Sequence, residues 1–311
     1  MVQPVLVGGY QGPSSVLSQA LEHVVNELRA AVLTSLSSIE FQLTLDVTAQ
    51  GMTAQSLFDS VEDGERKICY LASSYLSARA SDLRVLDIPF CVSDRAAALV
   101  QLDGKVGDLL AQNVERNTKL KILAFWDNGF RHISNKSRPL YGPTDCNGLK
   151  IRTLNSQIYC DVLRAIGFVP VVSDVRELNN VVSTGQVEAQ ENPLTNFINF
   201  ELWHHHRYLS LTQHFFGVAL LVCNRPWFEA LNNNDQNAVR SAALSATQLQ
   251  RRLAASEDSQ ALSFLREQSV SIVSSDELDI KAMVSACAGI SENISKHLPT
   301  ELVDLYLQSH G

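Results

Sequence analysis

One arginine of this chain lies in a segment whose pattern suits it to bind an anion. In Leu149-Lys150-Ile151-Arg152-Thr153, apolar and polar residues alternate, as they do in a β-strand whose two faces differ. Arg152 then projects from the face opposite Leu149 and Ile151, toward either solvent or a cleft. A guanidinium can hold a carboxylate through two parallel hydrogen bonds, whereas a lysine offers only a point charge. The segment therefore makes Arg152 a candidate carboxylate-binding residue.

Three further motifs accompany this segment: Asn128-Gly129-Phe130-Arg131, Gln190-Glu191-Asn192-Pro193 and Tyr208-Leu209-Ser210-Leu211-Thr212-Gln213-His214. With Gly148-Leu149-Lys150-Ile151-Arg152, they resemble motifs of the extracytoplasmic solute-binding proteins of tripartite ATP-independent periplasmic (TRAP) transporters, the DctP-type family. The family motifs are N-G-x-R, Q-E-N-P, Y-L-S-L-T-x-H and G-L-K-[IL]-R. The resemblance implies that Arg152 forms the main salt bridge to a ligand carboxylate, and that Arg131 and Asn192 also contact the ligand. Glu191, beside Asn192, is a further candidate ligand contact. It also implies delivery of that ligand to the small and large membrane subunits of a permease, without catalysis.

The first part of the chain resembles the same family more loosely, through Leu86–Phe90 and the loop Gly9–Ser15. Tyr10 stands where the sialic-acid-binding branch of the family has an asparagine, and Ala72 stands where that branch has a glutamate. A polyhydroxylated sugar acid would lose polar partners at both positions. The resemblance therefore argues against sialic acid as the ligand.

Aromatic residues are frequent in the segments expected to form the site. We expect core packing to explain about half of these residues. If the others face a cleft, the ligand should carry an aromatic or bulky apolar body beyond its carboxylate, which favours an aromatic 2-oxo or 2-hydroxy acid over a C4 dicarboxylate. The aromatic candidates for ligand contact are Tyr10, Tyr70, Trp126, Phe215 and Phe216.

Two alternatives to a transport protein stay open. The same cleft could belong to an enzyme in which Glu191 is the base and Arg152 anchors a small carboxylate, or in which Cys160 and a histidine form a thiol nucleophile. No G-x-S-x-G or comparable nucleophile motif supports catalysis. The chain could also be a ligand-sensing module of a receptor. Turnover of the ligand would identify the enzyme.

Motifs that suggest a cofactor or a metal are incomplete. Gly8, Gly9 and Gly12 follow a predicted strand, but the full G-x-G-x-x-G of a dinucleotide site is missing. The run His204–His206 cannot direct three consecutive side chains at one metal ion, and a solvated helix end explains it better. The sequence therefore predicts neither a cofactor nor a metal.

Composition limits the partners and the location. The net charge of −8 disfavours nucleic acid and anionic membranes, which require a concentrated basic surface. No apolar run approaches the roughly 20 residues needed to cross a bilayer, and Met1-Val2-Gln3-Pro4 lacks the basic and apolar regions of a secretory signal. Taken alone this start indicates a cytosolic protein, whereas the resemblance implies an exported, periplasmic one whose signal segment has been removed. We expect the periplasmic location, and a monomer.

The six cysteines show neither a C-x-x-C pair nor zinc-ligand spacing. Several lie in apolar runs, where a small buried side chain is the simplest explanation. We therefore predict free structural thiols at positions 69, 91, 146, 160, 223 and 287.

The elements that position these residues are those of two α/β lobes. A length of 311 residues suits two domains of ordinary size. The chain opens with a β-α-β pattern, and a unit of helix, glycine stop and strand recurs around Gly64 and Gly185, 121 residues apart. Two similar lobes are one explanation of this recurrence, and the general appearance of α/β units is the other.

Crossings between the lobes are expected at two places. The strand-like segment Lys121–Trp126 is followed by Asp127-Asn128-Gly129, which predicts a break, and a second crossing is expected near Phe216-Gly217. From Asn234 a helix continues toward Leu262 and would span both lobes. The prediction is a two-lobed periplasmic binding protein-like fold with its cleft between the lobes, lobe I comprising 1–128 plus 218–257 and lobe II 129–217 plus 258–311.

Overall fold

The computed structural model describes residues 4–32 and 40–308. Its chain divides into two compact units, both of which are built from separate segments of sequence. The first unit comprises Met1–Ser81, Leu99–Asn128 and Val218–Ala255, and the second comprises Asp82–Ala98, Gly129–Gly217 and Ser256–Gly311.

Nine β-strands lie in the described residues and belong to one sheet. Their bounds are β1 Val5–Gly8, β2 Phe41–Thr44, β3 Ile68–Ala72, β4 Leu120–Asn135, β5 Lys150–Thr153, β6 Val169–Val172, β7 Ala189–Pro193, β8 Tyr208–Asn224 and β9 Ser271–Val273.

The described residues also form twelve α-helices, which lie between and after these strands in the sequence. Their bounds are α1 Val16–Val32, α2 Ala54–Glu62, α3 Arg95–Leu102, α4 Lys105–Asn117, α5 Pro143–Cys146, α6 Gln157–Ala165, α7 Leu178–Ser183, α8 Leu194–Asn199, α9 Arg225–Ala230, α10 Asn233–Glu267, α11 Ile280–Lys296 and α12 Thr300–Gln308. Short 3₁₀ helices occupy Thr48–Gln50, Ser73–Tyr75, Ser81–Asp87, Val175–Glu177, Leu202–His204 and Ser275–Glu277.

The first unit contains the parallel strands β2, β1 and β3, followed by the end of β8, which is antiparallel to β3. Helix α1 presents one apolar face at spacings of three and four residues, and Leu21, Val24 and Leu28 on that face are fully buried. The side chain of Thr53 accepts a hydrogen bond from the Ser56 amide and so caps the start of α2.

The second unit contains the strand order β4, β7, β5, β6. Strand β7 is antiparallel to β4 and parallel to β5, and β5 is parallel to β6. The start of β8 pairs in parallel with β9. A buried apolar cluster lies around α7 and α8 and includes Leu178, Val182, Phe197 and Leu265. The mixed α/β class expected from the sequence is confirmed.

Several helices and strands begin and end where the sequence predicts. The opening β-α-β unit is present as β1, α1 and β2. Gly64 and Gly185 follow α2 and α7 with φ of 79° and 72°, in the left-handed region that glycine tolerates at helix ends. Helix α10 runs without interruption from Asn233 to Glu267, which confirms the long helix.

The predicted break of the strand after Trp126 is wrong, because β4 continues through Asp127, Asn128 and Gly129 to Asn135. The division between the two units nevertheless falls between Asn128 and Gly129, where the crossing was expected. Gly129 adopts a φ of 77° within the strand. Glycine is favoured at such a positive φ, which also occurs in β-bulges. Residues that usually form a turn therefore form a local irregularity within one long strand.

The division into units differs from the predicted lobes, 1–128 plus 218–257 and 129–217 plus 258–311, in two respects. The segment Asp82–Ala98 belongs to the second unit, and the division of α10 falls after Ala255. Contacts within the second unit explain the first difference, since the Phe90 amide donates to the His214 carbonyl at 3.0 Å and Arg95 forms an ion pair with Asp258.

All six cysteines, each within the described residues, are free thiols, which confirms that prediction. Five of them are buried, and Cys91 is partly exposed. Over the described residues, no helix is both long and apolar enough to cross a membrane.

Two glycines provide a matched test of the packing. A Cβ added at Gly107 in α4 would lie 1.9 Å from the Leu102 carbonyl oxygen, whereas one added at Gly289 in α11 would meet no atom within 4 Å. We expect Gly107→Ala to lower the free energy of unfolding by roughly 3 kcal/mol through overpacking, and Gly289→Ala to raise it by about 1 kcal/mol through helix propensity. Urea denaturation measures both, and equal stabilities of the two variants would contradict this packing.

Candidate functional site

Four of the predicted site residues lie on three neighbouring strands of the second unit. The register places Arg131 of β4 opposite Pro193 of β7, and Arg152 of β5 opposite Gln190 of β7. Arg152 and Asn192 are each the penultimate residue of their strands. They therefore mark the edge at which the parallel strands β5 and β7 end, where open α/β sheets bind their ligands.

Arg131 is fixed by the motif that follows it on the neighbouring strand. Its Nε donates to Glu191 Oε2 at 2.5 Å and its Nη2 donates to Glu191 Oε1 at 3.0 Å. The same Nη2 reaches the Glu191 carbonyl at 3.0 Å and Asn192 Oδ1 at 3.3 Å. The Tyr159 ring lies 5.4 Å from the guanidinium carbon, a cation–π distance. Arg131 is therefore held in one orientation by several groups.

Glu191 is fully buried, and its carboxylate has other neighbours besides Arg131. Thr153 Oγ1 donates to Oε1 at 2.8 Å, and His214 Nε2 lies 3.5 Å from Oε2. Burial by itself would raise the pKa of Glu191, but the charge of Arg131, its hydrogen bonds and the neighbouring His214 outweigh burial and lower that pKa to about 2. A carboxylate held ionised in this way is a weak base at neutral pH, which argues against Glu191 as a general base.

Arg152 is buried, with 2% of its surface exposed, so the solvent-facing alternative for this side chain is wrong. Its Nε donates to Ser173 Oγ at 3.2 Å, and its Nη2 donates to the Ser173 carbonyl at 2.7 Å. Ser173 directly follows β6, the strand that pairs with β5. These bonds orient the guanidinium before any ligand arrives, which reduces the entropy cost of binding.

The two phenylalanines predicted as ligand contacts pack against other aromatic rings of the second unit. Phe215 stacks on Tyr159 with ring centroids 4.2 Å apart, and Phe216 lies 5.2 Å from Phe130. Because Tyr159 also lies against Arg131, Phe215 is connected through one ring to the arginine network.

The remaining aromatic candidates form a separate group in the first unit. The ring centroids of Tyr10 and Tyr70 are 5.3 Å apart, and those of Tyr70 and Trp126 are 5.8 Å apart. The Tyr70 hydroxyl bonds Ser18 Oγ at 2.8 Å, and Trp126 Nε1 donates to Thr247 Oγ1 at 2.9 Å. All three rings are buried, so mutual packing accounts for them.

Sequence reasoning missed several residues of the second-unit network. Thr153 and Tyr159 were not predicted, and His214 was noted only as the last residue of a motif. Asp87 is also buried here, and burial raises its pKa to about 7 against the lowering effects of Arg131 and a hydrogen bond with Tyr159. The common signal was a polar residue inside an otherwise buried segment, whose usual explanation is a hydrogen-bonded partner elsewhere in the chain.

The prediction of a solvated histidine run is wrong at one position. His204 and His205 are exposed, but His206 is fully buried and its Nδ1 lies 3.0 Å from Ser134 Oγ. No group of His, Cys, Asp and Glu side chains in residues 4–32 and 40–308 is arranged to hold a metal ion.

The fold is that of the two-lobed solute-binding proteins of TRAP transporters. The structure is similar to several solved ones. One is a sugar acid binding protein of Advenella mimigardefordensis in complex with galactonate, which superposes on this chain with a TM-score of 0.90 and 22% sequence identity, covering 99% of this chain and 97% of the other. A TRAP periplasmic solute binding protein of Sulfurospirillum deleyianum with bound succinate gives a TM-score of 0.89 and 21% identity, with 99% of each chain covered.

The sequence itself identifies the family. Residues 16–297 match the family DctP, bacterial extracellular solute-binding protein, family 7, and the chain belongs to this family. It is 30% identical over 265 residues to the 2,3-diketo-L-gulonate-binding periplasmic protein YiaO of Escherichia coli, covering 85% of this chain and 80% of that protein. An uncharacterized protein of Haemophilus influenzae is 33% identical, covering 85% of this chain and 79% of its own.

Proposed function

We propose that this chain is the periplasmic subunit that captures a small organic acid and delivers it to the small and large membrane subunits of a TRAP permease. Membership of the DctP family supports the transport role. The observation that carries the ligand class is Arg152, whose guanidinium is buried at the carboxyl end of β5 and oriented by Ser173. A planar guanidinium fixed in this way is suited to bidentate binding of a carboxylate.

Within this class we propose that the ligand is a 2-oxo or 2-hydroxy acid. The aromatic acid expected from the sequence is one kind of such an acid. Phe215 and Tyr159, stacked beside Arg131, support an apolar body near the charged groups. Tyr10, Tyr70 and Trp126 give it less support, because they pack on one another and the polar atoms of Tyr70 and Trp126 bond protein groups. The E. coli relative is named for a diketo sugar acid, which makes a sugar acid the competing form.

Binding without chemistry distinguishes this function from an enzyme. The low pKa of Glu191 and its pairing with Arg131 make it unsuited to remove a proton from a ligand at neutral pH. We expect the acid to be recovered unchanged after prolonged incubation with the protein. A product detected by mass spectrometry would favour the enzyme instead.

A thermal-shift screen tests the ligand class. The protein is unfolded and refolded to remove retained ligand, and then heated with phenylpyruvate, phenyllactate, galactonate, D-erythronate or succinate. A ligand at about 1,000 times its Kd stabilises the folded state by about 4 kcal/mol, so a clear rise in Tm is expected for the 2-oxo or 2-hydroxy acids and a smaller one for succinate. A rise with succinate alone would contradict the finer proposal, and no rise with any acid would contradict carboxylate capture.

A further inference from the structure

A chain of buried polar side chains lies along β7 and reaches the buried histidine of the His204–His206 run. Ser134 of β4 and Gln190 of β7 are register partners, so their side chains meet on one face, and Asn192 follows two residues later on the same face. Asn192 Nδ2 bonds Gln190 Oε1 at 2.6 Å, Gln190 Nε2 bonds Ser134 Oγ at 2.6 Å, and Ser134 Oγ lies 3.0 Å from His206 Nδ1. This chain, from Asn192 through Gln190 and Ser134 to His206, is called the amide relay below.

Arg131 determines the orientation of both side-chain amides in the amide relay. Its Nη2 lies 3.3 Å from Asn192 Oδ1, and a guanidinium can only donate, so this atom of Asn192 must be the oxygen. Asn196 Nδ2 donates to the same oxygen at 3.2 Å. The Asn192 nitrogen is therefore directed at Gln190 Oε1, and the Gln190 nitrogen at Ser134. A serine hydroxyl has one proton and two lone pairs, so Ser134 can accept from Gln190 and still donate its proton to His206 Nδ1.

When Ser134 donates to it, His206 Nδ1 is an acceptor and the ring proton is on Nε2. Among the described residues, this buried Nε2 has no hydrogen-bond partner. An unsatisfied buried N–H lowers the stability of the folded protein. Burial lowers the pKa of His206 to about 3, and the charges of His205 and Lys136 lower it too. The ring is neutral at physiological pH, as the acceptor role requires.

We infer that His206 is a positioning residue for ligand binding, which acts through Ser134 and Gln190 to fix the side-chain amide of Asn192. This rests on the proposed function, in which Asn192 contacts the acid. The Asn192 oxygen is occupied by two donors, and one N–H of its nitrogen is used by Gln190. The amide thus offers the ligand its second N–H, so the group that it recognises is an acceptor oxygen of the acid.

Variants at the histidine run test the relay. His206→Leu removes the Nδ1 acceptor, whereas His206→Asn places an amide oxygen close to the former Nδ1. His205→Leu is the matched control, because His205 is the exposed neighbour in the same run. Because loss of the Ser134–His206 bond leaves Gln190 less firmly held against Asn192 Nδ2, we expect His206→Leu to weaken binding by about tenfold, the equivalent of roughly one or two hydrogen bonds. His206→Asn should restore binding to within about threefold of wild type, and His205→Leu should not change it.

A double-mutant cycle distinguishes positioning from general damage to the fold. If His206 acts only through Asn192, His206→Leu should weaken binding no further in an Asn192→Ala background, since the effects of coupled residues are not additive. Calorimetric titration with galactonate, D-erythronate, succinate and phenyllactate provides the affinities. A full additional loss in the Asn192→Ala background, or equal binding by His206→Leu and His205→Leu, would overturn the inference alone. Binding of no acid by the wild type would overturn the proposed function and the inference with it.

The relay has a further test that needs no ligand. In ¹⁵N NMR spectra of the histidine side chains, His206 should show the Nε2–H tautomer with an accepting Nδ1, and Ser134→Ala should shift the Nδ1 resonance. The resonance is assigned by its loss in His206→Asn. A proton on Nδ1 would reverse the deduced direction and overturn the relay whatever the binding measurements show.

Discussion

Replacing Arg152 by alanine is expected to weaken binding of the acid by 100-fold or more. Each charge-assisted hydrogen bond contributes about 1.5–3 kcal/mol, and two of them to one carboxylate account for a loss of at least two decades in Kd. Arg152→Lys keeps the charge and loses the planar fork, so it should bind with an intermediate affinity. Isothermal titration calorimetry measures all three proteins.

Arg164→Ala is the matched control for this experiment. Arg164 belongs to the same unit, but its side chain is half exposed and pairs with Asp161 three residues earlier, at 2.8 Å. Such a surface pair contributes little, so binding and stability should stay near those of the wild type. Because Arg152 is buried and bonded to Ser173, its alanine variant should also lose some stability, contrary to the expectation for an exposed cleft residue. Binding by Arg152→Ala within about threefold of wild type would show that Arg152 does not anchor the carboxylate.

Replacing Glu191 by glutamine is expected to be the most destabilising conservative change in the second unit. The substitution keeps the shape of the side chain but leaves the buried Arg131 guanidinium without its bidentate anionic partner. Breaking a buried ion pair from one side costs about 3–5 kcal/mol, because the remaining charge stays desolvated. Urea denaturation of the ligand-free protein measures this loss.

The effect of Glu191→Gln should depend on pH in a defined direction. Folding lowers the pKa of Glu191 from an ordinary value of 4.5 to about 2, so the folded state binds this proton less readily than the unfolded state. The stabilisation by Glu191 is therefore complete above pH 4.5 and is lost as the pH falls toward 2. The difference in unfolding free energy between wild type and variant should be constant at neutral pH and shrink over that acidic range.

A surface ion pair supplies the control for Glu191. Glu292 pairs with Lys296 at 2.7 Å one helical turn away, and both side chains are about two-thirds exposed. Glu292→Gln should change the free energy of unfolding by less than about 0.5 kcal/mol, and with little pH dependence. A Glu191→Gln variant that is as stable as Glu292→Gln would mean that Arg131 and Glu191 do not form the buried pair described above.

The sequence was sufficient for the family, the fold class and the elements that local chemistry specifies. The helix ends predicted at Gly64 and Gly185 are confirmed. A left-handed conformation after a helix depends mainly on the residue at that one position, and glycine favours it. The long helix α10 is confirmed for a similar reason, since its apolar periodicity continues without a strong breaker. Local signals of this kind need no knowledge of which strands become neighbours.

The features that were missed or wrong depend on partners distant in sequence. The ion pair of Arg131 and Glu191 joins residues 60 positions apart, and it follows only from the register of β4 and β7. The solvated histidine run failed for the same reason, because Ser134 of β4 is the partner of His206, 72 positions away. The break predicted at Asp127-Asn128-Gly129 failed because strand pairing outweighed a local turn preference.

A structure of the protein with a bound acid would test the central claim most directly. The acid that gives the largest thermal shift is the one to crystallise. We expect both carboxylate oxygens within hydrogen-bond distance of the Arg152 guanidinium, about 2.7–2.9 Å from its nitrogens, and an acceptor oxygen of the same acid against Asn192 Nδ2. An acid bound elsewhere, with the Arg152 guanidinium contacting only protein groups such as Ser173, would contradict the account.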